Sequence, residues 1–199
     1  MIPFMKTKKA LLCALLICCG YYTQAQTITS ARFRISDRST GIRSIELILD
    51  NTILVGINEE GEIDYTEFVS GKVSDYHATP DLERNYGLET TIIGNLPVRY
   101  YDNFDIHDPK GKLKSIGNIQ FKYNNTFDIH EQFGSLKSVG NIQISYYNTF
   151  DIHDPQGKVK SIGNVQIKYF NKFDGTDRFG RIKSIEGNTN AISVITARK

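Results

Sequence analysis

Along the second half of the chain, apolar and polar positions alternate with a period of two. From Ile119 one set runs Ile119, Phe121, Tyr123, Asn125, Phe127 and Ile129. The other runs Gln120, Lys122, Asn124, Thr126, Asp128 and His130. Such alternation predicts a strand with one buried face, because successive side chains leave a strand on opposite sides. Phe127 and Phe150 then belong to the inward set, stacked against neighbouring copies, and Asp128 is an outward, solvated strand end. Asp108-Pro109-Lys110-Gly111 and Asp154-Pro155-Gln156-Gly157 read as turns, with proline presetting φ and glycine accepting the left-handed position. Gly-Asn pairs such as Gly117-Asn118 suit a two-residue reversal.

Asp102, Asn125, Asn148 and Asn171 break the pattern, since each falls on the apolar face in the middle of a stretch that is long for a strand. A bulge or bend there, letting the amide meet backbone groups, is favoured over a continuous strand with a buried asparagine ladder. Beyond such a bend the side-chain parity is free to change.

The alternation belongs to a longer period. Phe104, Phe127, Phe150 and Phe173 are 23 residues apart, and Gly111, Gly134, Gly157 and Gly180 keep the same interval. Residues 116–138 and 139–161 are identical at 14 of 23 positions, which marks tandem duplication. Ile93-Gly94-Asn95 opens the register, four copies run to about residue 184, and a partial fifth follows. Upstream the pattern fades, although Ile42-Arg43-Ser44-Ile45 echoes Ile182-Lys183-Ser184-Ile185. Terminal repeats are usually atypical, so residues 26–92 are expected to form divergent hairpins before the repeats of 93–191 and a C-terminal strand and tail at 192–199. Thr79-Pro80-Asp81-Leu82-Glu83 is either a short helix or a polar turn. The expected fold is all-β: an antiparallel meander of tandem 23-residue β-hairpin repeats, laid out as an extended single layer or a sandwich-like sheet. A β-solenoid is the alternative.

Composition separates the first 25 residues from the rest. Lys6, Lys8 and Lys9 precede an apolar run from Ala10 to Cys19, and Thr23-Gln24-Ala25 offers a small-residue cleavage site before Gln26. This predicts a signal peptide at 1–25 and an exported chain in the periplasm, at the cell surface or outside the cell. Leu16-Ile17-Cys18-Cys19 approaches a lipobox, but Ile17 and Cys18 are poor choices before a lipidated cysteine, so simple secretion is favoured. The three cysteines, Cys13, Cys18 and Cys19, all lie in this leader, which leaves the mature chain no disulfide, thiolate metal site or cysteine nucleophile. Past the leader 21 bases face 22 acids, so charge gives no reason to expect nucleic acid or anionic lipid as a partner. No other run approaches transmembrane length.

A recurring Tyr-(Asn/Asp) with a following Gly-(Lys/Arg)-(Leu/Val/Ile) and the 23-residue period, as in Tyr101-Asp102 followed by Gly111-Lys112-Leu113, resembles the bacterial tandem β-hairpin repeats of the YD and MORN-like kind. The likeness covers about half the chain. It departs from the YD pattern in a longer interval before glycine and in mostly Tyr-Asn pairs, and it lacks the several glycines of MORN units. The resemblance implies an extended β scaffold for surface interaction or a shell around something else, and it brings no catalytic residues.

Two sets of residues carry candidate chemistry. Asp105 and His107, Asp128 and His130, and Asp151 and His153 pair a carboxylate with an imidazole two residues on, which on a strand would share a face and supply half of a divalent metal site. Equivalent residues of a meander lie two strands apart, about 9.5 Å, too far to share one ion. Polar strand ends bonding near the turn are therefore the favoured reading, and no cofactor is expected. His77 stands alone. The second set is a face with Tyr101, Tyr147 and Phe170 in one register, broken by Asn124, beside Gln120, Gln143 and Gln166. It is suited either to stacking on sugars or a protein partner, or to packing within a partly covered sheet. Neither set forms a nucleophile or acid–base constellation, and the chain is not expected to be an enzyme. The expected role is an exported structural or interaction protein of the bacterial cell envelope, with an envelope protein or glycan as partner; a glycan- or metal-binding module is the alternative.

Overall fold

A computed structural model describes residues 26–69 and 91–197, which hold fourteen strands and no helix. The leader, His77 and the Thr79–Glu83 segment lie outside the described residues. The strands are β1 Ile28–Ile35, β2 Ile42–Leu49, β3 Ile53–Asn58, β4 Ile63–Phe68, β5 Thr91–Ile93, β6 Leu96–Tyr100 and β7 Leu113–Ile116. They continue as β8 Ile119–Tyr123, β9 Leu136–Val139, β10 Ile142–Tyr146, β11 Val159–Ile162, β12 Val165–Tyr169, β13 Ile182–Glu186 and β14 Ile192–Thr196. No helix among the described residues is long and apolar enough to cross a membrane.

The chain forms two sheets. One is a nine-stranded antiparallel meander that runs from β5 to β13 in sequence order. The other has five strands in the order β14-β1-β2-β3-β4, antiparallel except where β14 returns to lie parallel to β1. Neither an extended single layer nor a solenoid describes this arrangement. The sheets pack face to face over one continuous core. Phe33, Leu47 and Val55 come from the five-stranded side, and Phe121, Ile162 and Ile167 from the meander; each is at most 1% exposed. Burying one side chain of this size contributes roughly 1.5–3 kcal/mol, which favours alternation in the strands that cover the core. In β8 the pattern runs buried, exposed, buried, exposed, buried.

Two devices recur along the meander. At one end the hairpins close through Gly-Asn pairs: Gly117 sits at φ +54 between Ile116 and Ile119, which are directly paired. A positive φ at the first central residue of a two-residue loop is the demand that glycine meets without strain. At the other end a bulge interrupts each pairing. Tyr123 faces Leu136 and Lys122 faces Ser138, so Lys137 is the extra residue. Lys114, Lys160 and Lys183 occupy the same place in the other copies. In the five-stranded sheet Arg43 does so too, where Arg34 faces Ser44 and Ile35 faces Ile42. At the asparagine itself the chain makes the expected bend rather than a bulge, and the bulge lies on the following strand.

The strands stop sooner than the alternation does. β8 ends at Tyr123, and residues 124–135 form turns rather than a second strand. Phe127 and Phe150 consequently leave the apolar face and stand 69% and 72% exposed. Their expected place in the core is overturned, and so is the expectation that Asp128 is a solvated strand end, for reasons that lie in the loop.

Candidate interaction surface

Each long loop opens with the same capped turn. Asn125 Oδ1 accepts from the Phe127 amide at 3.0 Å, and Asp128 Oδ2 accepts from the Asn125 amide at 3.0 Å. The Asp128 amide donates back to the Asn125 carbonyl. This reciprocal set diverts the chain from the strand, since asparagine and aspartate offer the backbone bonds that compete with the ladder. Asp128 Oδ1 then receives Lys137 Nζ at 2.7 Å. The bulge aims that lysine at the loop. Asp105 with Lys114, Asp151 with Lys160 and Asp174 with Lys183 repeat the pair at 2.6, 2.8 and 2.7 Å.

These bonds hold the carboxyls below the usual aspartate range. At Asp128 the Lys137 hydrogen bond leads, followed by the Asn125 amide. At Asp105 and Asp151 burial pushes upward, and the lysine and backbone bonds together outweigh it.

Successive loops are tied to one another. His107 packs on Phe127 with ring centroids 4.5 Å apart, His130 on Phe150 at 4.7 Å and His153 on Phe173 at 4.5 Å. His107 Nδ1 lies 3.1 Å from Thr126 Oγ1, and Asn125 Nδ2 donates to Asp108 Oδ1. Asn148 Nδ2 donates likewise to Glu131 Oε1. The outcome is a ridge along one end of the meander. It carries Phe104, Ile106, Phe127, Ile129, Phe150, Ile152 and Phe173, all between 60% and 92% exposed. Apolar side chains this exposed, repeated in a row on hydrogen-bonded loops, are the pattern of a contact surface.

The residues singled out for metal binding do not assemble into a site. Each aspartate is taken up by a backbone amide and a lysine, and each histidine lies against the next copy's phenylalanine. Among the described residues no group of three or more His, Cys, Asp or Glu side chains is placed to hold a metal ion. The aromatic row on the sheet does not form either. Tyr147 is buried and donates to the Ile167 carbonyl, while half-buried Tyr101 donates to that of Phe121. Burial, helped by Asp108 and Asp105, pushes the Tyr101 hydroxyl up to about 12. Phe170 is half-buried with Arg178 and Lys183 over its ring, and buried Asn124 donates to Ser135 Oγ. Gln120, Gln143 and Gln166 remain on the exposed outer face.

Lys112 and Lys158, to which the sequence assigned no structural role, join the two sheets. Lys158 Nζ donates to the Asp37 and Ser39 carbonyls, and Lys112 Nζ donates to that of Glu60. Burial pushes both ammonium groups down. Their signal was present as a double period. Residues 101–123 and 147–169 agree at 17 of 23 positions, more than adjacent copies do, and in both the lysine follows the Asp-Pro-x-Gly turn. Beside Lys112 a cleft of about 350 Å³ opens among the loops, with Ile45, Ile57, Tyr123 and Tyr146 in its lining. Burial raises both tyrosine hydroxyls, and Tyr146 donates to the Leu136 carbonyl. No protein-family model, curated protein or solved structure gives a significant match to this chain.

Proposed function

We propose that the protein is an exported repeat scaffold of the bacterial cell envelope, and that the phenylalanine ridge is the surface through which it docks. One observation carries this reading: a row of large apolar side chains stands in solvent on loops already bonded into place. Preorganised loops pay little ordering entropy on binding, so a modest apolar area yields useful affinity. The basic and apolar leader supports export, and the resemblance to tandem β-hairpin repeats supports a scaffold. On β8, β10 and β12 the outer face carries glutamine, lysine and serine, which makes it the less favourable docking surface.

The test compares retention on isolated envelope fractions for three proteins: the unaltered chain, the pair Phe127→Asp and Phe150→Asp, and the trio Gln120→Glu, Gln143→Glu and Gln166→Glu. The ridge pair is expected to lose retention and the glutamine trio to keep it. Loss in the trio with full retention by the ridge pair would move the docking surface to the sheet.

A further inference from the structure

We infer that the ridge binds an extended β-1,4-linked polymer of N-acetylated hexosamines, with one two-sugar unit per 23-residue copy. The inference rests on the ridge being the docking surface. Its first support is a match of periods. Each copy advances the meander by two strands, about 9.5 Å at the usual strand spacing. Successive sugars of a β-1,4-linked chain are flipped over, so the same ring face returns every second sugar, at nearly the same distance. A ligand of that kind asks for one stacking platform per two sugars, and the ridge supplies one phenylalanine per copy at Phe104, Phe127, Phe150 and Phe173.

The chemistry within one period agrees. A phenyl ring offers its face to the C–H face of a pyranose. The histidine of the preceding copy packs against Phe127, Phe150 and Phe173, and each ring still stands 69–76% exposed for a sugar to meet. With Nδ1 of His107 turned to Thr126, its second ring nitrogen is left to bond a sugar hydroxyl or acetamide. Ile106, Ile129 and Ile152, two residues beyond each ring, give the acetamide methyl an apolar seat. A pyranose polymer alternates apolar faces with polar rims, as this ridge does.

A proline-rich peptide has a comparable pitch, about 9.3 Å for three residues of polyproline II. It needs slots between aromatic rings, however, and here histidine fills the space beside the ring. A peptide strand repeats its facing side chains every two residues, about 6.7 Å, and falls out of step.

The experiment is calorimetric titration of the full chain with chitobiose, chitotetraose and chitohexaose, with cellohexaose and a decaproline peptide as comparators. Affinity should climb with each added disaccharide as another platform is engaged, by at least tenfold from biose to hexaose. Phe127→Ala with Phe150→Ala, at an unchanged melting temperature, should abolish that climb. Lack of heat from chitohexaose at millimolar concentration overturns the proposal, as does equal affinity for cellohexaose, tighter binding of decaproline, or a climb that survives in the double variant. If chitohexaose fails while the Phe127→Asp, Phe150→Asp pair still loses envelope retention, the glycan assignment falls and the docking surface stands; if neither responds, both fall.

Discussion

Phe121 and Phe127 are six residues apart on the same side of the alternation, and the fold treats them in opposite ways. Phe121 is fully buried between the sheets, whereas Phe127 is 69% exposed on the ridge. Hydrophobicity is the same in both, so it does not decide the matter. What separates them is Asn125, whose side chain accepts the Phe127 amide and whose own amide is held by Asp128. An alternating pattern predicts burial only as far as the backbone remains a strand, and a polar residue able to cap a turn ends that range.

The largest expected effect sharpens this contrast. Phe121→Ala should cost about 3–5 kcal/mol, through lost transfer energy and the cavity left between the sheets. Phe127→Ala should stay within about 1 kcal/mol, as for an exposed position. Denaturant unfolding of the two variants measures the difference directly. Similar losses would mean that the ridge is covered in solution.

Next in size is Asp128→Ala, which removes a cap and a lysine partner at once. A helix N-cap, which satisfies a backbone amide in the same way, is worth about 1 kcal/mol. The same unfolding assay should therefore rank Asp128→Ala above Phe127→Ala, with the exposed phenylalanine mattering less to the fold than the carboxylate that turns the chain beside it.

The acid dependence of stability follows from the same carboxylates. The carboxyls of Asp105, Asp128, Asp151 and Asp174 are held below the ordinary aspartate value in the folded state. A depressed carboxyl stabilises the fold fully above its unfolded value, and that contribution is lost as pH falls through the folded one. Stability should thus be flat with respect to these groups at neutral pH and decline below about pH 4. Denaturant midpoints taken across that range should decline less steeply for Asp128→Asn than for the unaltered chain.

The smallest effect belongs to Lys137→Met. The ion pair with Asp128 is half-exposed on the lysine side, and such pairs contribute up to about 1 kcal/mol. A midpoint shift as large as that of Asp128→Ala would show that the ammonium, rather than the backbone cap, holds the turn.

Much of the architecture was legible in the chain. The 23-residue interval, the Gly-Asn reversals and the buried alternation of Ile119, Phe121 and Tyr123 are consequences of local preference, and the strands follow them. The break at Asn125 was legible too, since an asparagine on an apolar face asks for backbone partners. The direction of the chain after the break was not, and with it went Phe127, Phe150 and the outward place given to Asp128. Asn125 and Asp128 close the turn themselves, and Lys137, nine residues on, meets the same carboxylate because a bulge in the next strand turns it there.

Sequence alone determined the all-β character, the hairpin period and the parity of side chains within each short strand, because those depend on neighbours along the chain. Tertiary structure decided that a second sheet covers the meander, that β14 returns parallel to β1, and that Lys112 and Lys158 reach across to the opposite loops. It also decided that Tyr147 is buried. Those outcomes depend on which distant backbone lies over each side chain, and a period of two says which residues share a face without saying what that face will meet.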